Sequence, residues 1–156
     1  MIQRIPLETH KDILELLSLQ VASYRVEAEL IGFDEIPLLN DGIASIQEAD
    51  EIFIGSYTDA LQLRGAISYH REGKVVTICR MMVHPEYFRL GIARELLRFV
   101  IDGQCKEGAS RFIVSTGTAN IPAIKLYQGF GFIEKKVRTI ASGITLTTFE
   151  RPANLE

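Results

Sequence analysis

The run Thr77-Ile-Cys-Arg-Met-Met-Val83, His84-Pro85-Glu-Tyr-Phe-Arg-Leu-Gly91-Ile-Ala93, Arg94-Glu-Leu-Leu-Arg-Phe-Val-Ile101 reads as strand, loop and helix. Pro85 lacks the N–H that a strand ladder uses, and Gly91 reaches backbone angles closed to other residues, so the strand is expected to end near His84. Ile92, Leu96, Leu97, Val100 and Ile101 then recur at helical spacing, with Arg94, Glu95, Arg98 and Asp102 opposite them. That pattern predicts a helix lying on a sheet with its other side in water. The first turn of such a helix leaves unpaired N–H groups pointing outward, and these suit a phosphate. A glycine in a strand-to-helix turn also has an ordinary conformational account, so the loop alone does not decide a function.

Further along, Phe112-Ile-Val-Ser-Thr-Gly117 is followed by Asn120-Ile-Pro-Ala123-Ile-Lys-Leu-Tyr127-Gln-Gly-Phe-Gly131-Phe132. Asn120 suits a helix cap and Pro122 a first helical turn. Separations of three and four residues then bring Asn120, Ala123 and Tyr127 onto one face, where an amide, a small gap and a phenol suit a long polar ligand. Each also has a packing account: a cap, a close contact, a half-buried aromatic.

Together the two stretches resemble the GNAT superfamily of acyl-CoA-dependent N-acetyltransferases. The loop pattern Gln/Arg-x-x-Gly-x-Gly/Ala corresponds to Phe88-Arg-Leu-Gly91-Ile-Ala93. The pattern Asn-x-x-Ala-x-x-x-Tyr-x-x-x-Gly-Phe is complete from Asn120 to Phe132 and is the more specific of the two. The resemblance implies an α+β GNAT fold: a mixed, mostly antiparallel sheet of six to seven strands, helices on both faces, and a splayed parallel strand pair that binds acetyl-CoA. It further implies that the backbone of Arg89, Leu90, Gly91, Ile92, Ala93 and Arg94 holds the pyrophosphate of this co-substrate. Met81, Met82 and Val83 would pair with its pantetheine arm as with an added strand, and Asn120, Ala123 and Tyr127 would border it. The Val83 N–H would polarise the thioester carbonyl, and Tyr127 would donate a proton to the departing thiolate. Phe88 departs from the pattern, which usually has Gln or Arg there. The backbone amides do not depend on that side chain, and Arg89 or Arg94 supplies positive charge nearby.

The resemblance does not supply a general base. Strand parity is expected to send Thr77, Cys79, Met81 and Val83 to one side, and some family members carry Glu or His at the positions of Thr77 and Cys79. Neither residue here is a good base. Glu27 or Glu29, beside the first long loop, offers a carboxylate that takes the proton through water, and both also read as a solvated helix face.

Size and charge narrow the remaining choices. A chain of 156 residues with 47% hydrophobic and 24% charged residues suits one globular domain, read as residues 1–156, and not a disordered chain. Its net charge of −3, without a basic run, argues against nucleic acid as a partner. Charges by Glu8 and Lys11 interrupt the first residues and no stretch has the length of a membrane span, so a cytoplasmic protein without membrane association is expected. Cys79 and Cys105 lie outside any Cys-x-x-Cys pattern and His10, His70 and His84 are scattered, so no metal is expected.

In chain order, Ile2 to Pro6 reads as a short strand. Thr9 caps a helix with a buried stripe of Ile13, Leu14, Leu16, Leu17 and Val21, reaching towards Leu30. Residues 31–41 read as a loop, before a short helix from Ala44 to Glu48. Glu51 to Tyr57, Leu63 to His70 and the strand ending at Val83 form an antiparallel meander turned at Arg71-Glu-Gly-Lys74. Arg111 to Thr116 then pairs in parallel, and Ile133 to Ile140 with Ile144 to Arg151 close the sheet. The expected activity is acetyl transfer from acetyl-CoA to a primary amine of a small-molecule or peptide acceptor, and the acidic residues in or beside the first loop (Glu27, Glu29, Asp34, Glu35, with Tyr24 among them) suit a cationic one. The alternatives are a non-catalytic CoA-binding sensor or assembly module of the same fold, and a nucleotide-binding module using the Gly91 loop. A homodimer is compatible with the exposed edge of the last strand.

Overall fold

Alternating strands and tight turns in the middle of the chain produce an antiparallel meander, and the chain then crosses over and returns. The computed structural model describes residues 1–32 and 42–155. The strands are β1 (Ile2–Arg4), β2 (Ile52–Tyr57), β3 (Leu63–Glu72), β4 (Val75–Val83), β5 (Arg111–Gly117), β6 (Ile133–Ala141) and β7 (Ile144–Pro152). They make one sheet in the order β1-β2-β3-β4-β5-β7-β6. Among the described strands only the β4–β5 pair is parallel. The helices are α1 (His10–Ile31), α2 (Ile43–Glu48), α3 (Ile92–Lys106) and α4 (Ile121–Gly129).

Helix α1 begins where the sequence places it. The Thr9 hydroxyl accepts from the Asp12 N–H at 3.2 Å, and Gly32, at φ 69°, closes the last turn with its N–H on the Ala28 carbonyl. Its buried stripe differs from the expected one: it is Ile13, Leu16, Leu19, Gln20, Tyr24, Ala28 and Ile31, while Leu14 is 54% exposed. A 100° step per residue carries Leu14 off the face that Ile13 and Leu16 define, so apolar type alone misassigned it. Between β4 and α3, Pro85–Tyr87 forms a 3-10 turn in which His84 Nδ1 accepts from the Glu86 N–H at 3.2 Å. Nothing in the hydrophobic pattern marks this turn. Residues Asp34 and Glu35 of the first loop lie outside the described residues.

Two cores lie on opposite faces of the sheet. Helix α3, with part of α4, covers Ile54, Ile67, Val76, Ile78, Phe112, Val114 and Phe149. Helices α1 and α2 cover Phe53, Tyr57, Ala66 and Met82. Strand β4 contributes to both, and a bulge exchanges its faces midway: Tyr69 pairs with Ile78 and Ser68 with Arg80, leaving Cys79 as the extra residue. The bulge corrects the strand-parity expectation. Met81 and Val83 pack with Val76 and Ile78 on the α3 face, so Thr77, one position from both Val76 and Ile78, no longer shares their side. Cys79 is exposed rather than buried. The chain also closes differently at its end: β7 lies between β5 and β6, so the sheet edge belongs to β6 and not to the last strand.

On the α1 face Arg80 is 5% exposed and is held on two sides. Its Nε and a terminal nitrogen donate to the two Glu51 carboxylate oxygens at 2.9 and 3.0 Å, and the other terminal nitrogen donates to Gln20 Oε1 at 2.8 Å. The Ser68 hydroxyl donates to the same carboxylate. Removing one member of such a buried pair strands the other charge. Glu51→Ala should therefore lower unfolding free energy by about 3 kcal/mol, whereas Leu14→Ala on the exposed side of α1 should stay within about 0.5 kcal/mol. Urea titrations of both variants provide the check, and equal effects would contradict this assignment of faces.

Candidate active site

The parallel pairing of β4 with β5 runs from Val75–Arg111 to Ile78–Val114 and then stops. Beyond it the strands diverge and the backbone of β4 from Cys79 onward loses its neighbour. The His84 N–H donates to the Arg64 carbonyl at 2.9 Å. N–H directions alternate along a strand, so Met82, opposite Ala66, also turns to β3, while Met81 and Val83 turn their N–H groups into the gap. Of the three residues expected to meet an added strand, two present backbone donors there and Met82 does not.

Helix α1 faces these donors. The Val83 N–H donates to Ser23 Oγ at 3.2 Å, and the Met81 N–H lies near the Tyr24 phenol and favours its charged form. Helix α1 lies close over the gap along its second half. At its end, a Cβ placed on Gly117 would lie 2.5 Å from Ile31 Cγ2, so only a glycine at the end of β5 permits this approach. The positions of Ser23 and Tyr24 carry no sequence signal, because a serine and a tyrosine on a helix are ordinary.

Tyr127 enters the gap from the opposite side. It is 4% exposed, edge-on to Phe132 with ring centroids 5.7 Å apart, and tilted against Phe149 at 6.5 Å. Asn120 caps α4, its Oδ1 accepting from the Ala123 N–H at 3.3 Å, and its amide lies near enough to Glu27 of α1 to favour the charged carboxylate. Ala123 packs against the same core as Tyr127. Glu27 is half-buried, and Glu29, two residues on, is exposed. The structure therefore brings only the first of the two glutamates to Asn120 and Tyr127.

The electrostatics follow from this crowding. Burial pushes the Glu27 carboxyl above its ordinary value of 4.5, and the Asn120 hydrogen bond pulls the other way. Burial, then the Glu27 charge, raises the Tyr127 phenol, so it keeps its proton near neutral pH. Tyr24 is raised by burial first, and also by Glu27 and Tyr127. The Cys79 thiol is pushed up to about 11 by desolvation and by Glu51, which leaves it a thiol and no base.

At the top of the gap, Gly91 stands before α3 at φ 79° with no side-chain cap, and the first helical bond is Glu95 N–H to the Gly91 carbonyl at 3.0 Å. The N–H groups of Ile92, Ala93 and Arg94 are left for an outside acceptor. A Cβ on Gly91 would meet nothing within 4 Å, so the loop faces open space. Arg89 also takes a left-handed conformation, at φ 66°, and Leu90 is 62% exposed. Phe88 is 40% exposed and adds no polar group. Arg94 and Arg98 lie over Phe130 at 6.0 and 5.4 Å and give the adjoining surface positive charge. These donors fit the phosphates of a coenzyme, and the gap below fits an extended arm. A larger cleft of about 630 Å³ runs along β1 and is lined by Gln3, Pro6 and Glu8, away from these groups.

Residues 13–132 match the model of the acetyltransferase (GNAT) family. The protein belongs to that family. It is 42% identical over 135 residues to UPF0157 protein YqkA of Bacillus subtilis (strain 168), covering 86% of this chain and 38% of that one. It is 36% identical over 62 residues to the [ribosomal protein bS18]-alanine N-acetyltransferase of Escherichia coli (strain K12), 40% of this chain and 42% of that one. The chain thus spans about two fifths of the length of these relatives. The crystal structure of the ribosomal-protein-S18-alanine N-acetyltransferase from Escherichia coli superposes with a TM-score of 0.78, 18% identity and coverage of 100% and 95%. That likeness shows the GNAT fold. Among the described residues no helix is long and apolar enough to cross a membrane.

The raised Glu27 carboxyl makes a stability prediction. A group whose folded value exceeds its unfolded one contributes stability below the unfolded value and loses that contribution as pH rises through the folded value. As pH rises through and above the ordinary carboxylate range, the wild type should therefore lose stability relative to Glu27→Gln, which has no charge to bury. Melting temperatures of both proteins across this window test the sign, and parallel curves would remove the burial assigned to Glu27.

Proposed function

We propose that this protein transfers an acetyl group from acetyl-CoA to a primary amine. The observation that carries the reading is the gap left where the β4–β5 pairing ends, with a backbone donor at Val83 and with Tyr127 of α4 and Glu27 of α1 close enough for the carboxylate charge to raise the phenol. Acetyl-CoA supplies the thioester. The N–H groups of Ile92, Ala93 and Arg94, with Arg89 and Arg94, suit its pyrophosphate. Met81 and Val83 offer the strand edge for its pantetheine arm.

The chain's own groups then divide the work. Glu27, through water, takes the proton that a cationic amine must lose before its lone pair is free, and the raised carboxyl brings its proton affinity closer to that task. The Val83 N–H donates to the acyl oxygen as charge develops on it. Tyr127, held in its protonated form, donates to the sulfur as it leaves. A half-buried carboxylate beside the gap favours a cationic acceptor, and the activity named for the Escherichia coli relative makes a peptide amino terminus a primary member of the acceptor panel.

Acetyl-CoA well above its dissociation constant should stabilise the protein by about 1 to 3 kcal/mol. Gly91→Asn should remove most of that shift in melting temperature. Asparagine tolerates the left-handed conformation of Gly91, so the loop survives while a side chain enters the phosphate path. An undiminished shift would place the coenzyme elsewhere.

Single-turnover release of CoA thiol with an amine panel tests the chemistry. Tyr127→Phe keeps the ring against Phe132 and Phe149 and should lower the rate about a hundredfold with little change in KM for acetyl-CoA. Equal rates would remove the phenol from the reaction. Coenzyme binding without thiol release from any amine would favour the non-catalytic module.

A further inference from the structure

We propose that the Ser23 hydroxyl is a second hydrogen-bond donor to the acyl oxygen, acting beside the Val83 N–H; this rests on the acetyl-transfer reading. Ser23 Oγ now lies 3.2 Å from the Val83 nitrogen, on the donor line an acyl oxygen would take. It holds that line by accepting a bond, which leaves its own proton free. A serine inside a helix ordinarily returns that proton to a carbonyl one turn earlier. Among the described residues the Ser23 proton has no such acceptor: the Val83 bond is the one hydrogen bond made by this hydroxyl. Rotation about the Ser23 Cα–Cβ bond swings Oγ off that line, and its free proton can then be donated to the oxygen that takes its place.

The neighbouring groups leave this role to Ser23. The Met82 and His84 N–H groups face β3, and the Asn120 amide oxygen is engaged by the Ala123 N–H. Among the described residues Ser23 is the side chain in hydrogen-bond contact with the Val83 donor. In the transfer, the amine lone pair forms the C–N bond while the carbonyl π pair moves onto oxygen, where Val83 and Ser23 donate. The carbonyl then re-forms, the C–S bond breaks, sulfur keeps that electron pair and takes a proton, and the surplus amine proton goes to water and Glu27. Ser23 neither gains nor loses a proton, so its effect is on the rate and not on the stoichiometry.

Ser23→Ala and Ser23→Thr, each with its melting temperature checked, are compared with the wild type in single-turnover thiol release, using an amine that the wild type acetylates. The alanine variant should lose tenfold or more in rate, with KM for acetyl-CoA unchanged or lower because a competing acceptor for the Val83 N–H is gone. The threonine variant, which keeps the hydroxyl, should hold most of the rate. An alanine variant as fast as wild type, or equal losses in both variants, would overturn the role of Ser23 while leaving acetyl transfer intact. A wild type that releases no thiol with any amine would overturn both.

Discussion

Two strands that begin as a parallel pair and then part create an obligation that much of this molecule answers. Backbone N–H groups removed from water must find partners, and the pairing that would supply them ends at Ile78 and Val114. The bulge at Cys79 contributes by turning the second half of β4 over, so Arg80 and Met82 face α1 while Met81 and Val83 stay with the α3 core. Helix α1 then closes the opening from one side with Ser23 and Tyr24, and α4 closes it from the other with Tyr127. The gap is the place where the two cores, otherwise separated by the sheet, come into contact. That is why residues distant in sequence perturb one another there: Glu27, Tyr24 and Tyr127 share one electrostatic environment.

The same gap explains why burial and polarity coexist at this site. A phenol and a carboxylate placed in a continuous hydrophobic core would be severe penalties unless neutralised or bonded. Asn120 relieves part of the strain on Glu27, and Tyr127 pays less because it is neutral in the form the site favours. Arg80 and Glu51, a few residues away on the α1 face, show the other solution, in which two charges neutralise each other, Ser68 donates to the carboxylate and Gln20 accepts from the guanidinium. The second arrangement is closed and suits support. The first retains an unbonded phenol proton and suits chemistry.

Much of the fold was legible in the sequence because its signals are local. Thr9, Gly91, Asn120 and Pro122 mark helix starts through their own backbone chemistry, and alternation sets the strands without long-range information. The stripe of α1 was harder, since Leu14 and Leu17 are as apolar as Leu16 and Leu19, and only packing distinguishes them. The bulge at Cys79 was not legible at all, and with it the facing of Thr77 and Met81, because a single extra residue leaves no mark on composition. Within the site, the α4 residues and the Gly91 loop were readable as two spaced motifs. What Glu27 and Ser23 do depends on how α1 lies across a gap formed by strands more than fifty residues away, and no local pattern records that placement.

The insertion of β7 between β5 and β6 bears on when the site exists during synthesis. Phe149, which walls one side of Tyr127, belongs to β7, and β7 pairs with β5 along its whole length from Arg111–Pro152 to Gly117–Leu146. A nascent chain that has emerged as far as Phe132 therefore carries both motifs but neither the strand that flanks β5 nor the Phe149 ring that packs on Tyr127. Its meander and α3 have their contacts close in sequence and can form early, whereas the catalytic half waits for a distant strand to arrive. The β5–β7 pairing therefore places the completion of the gap after the last strand has been made.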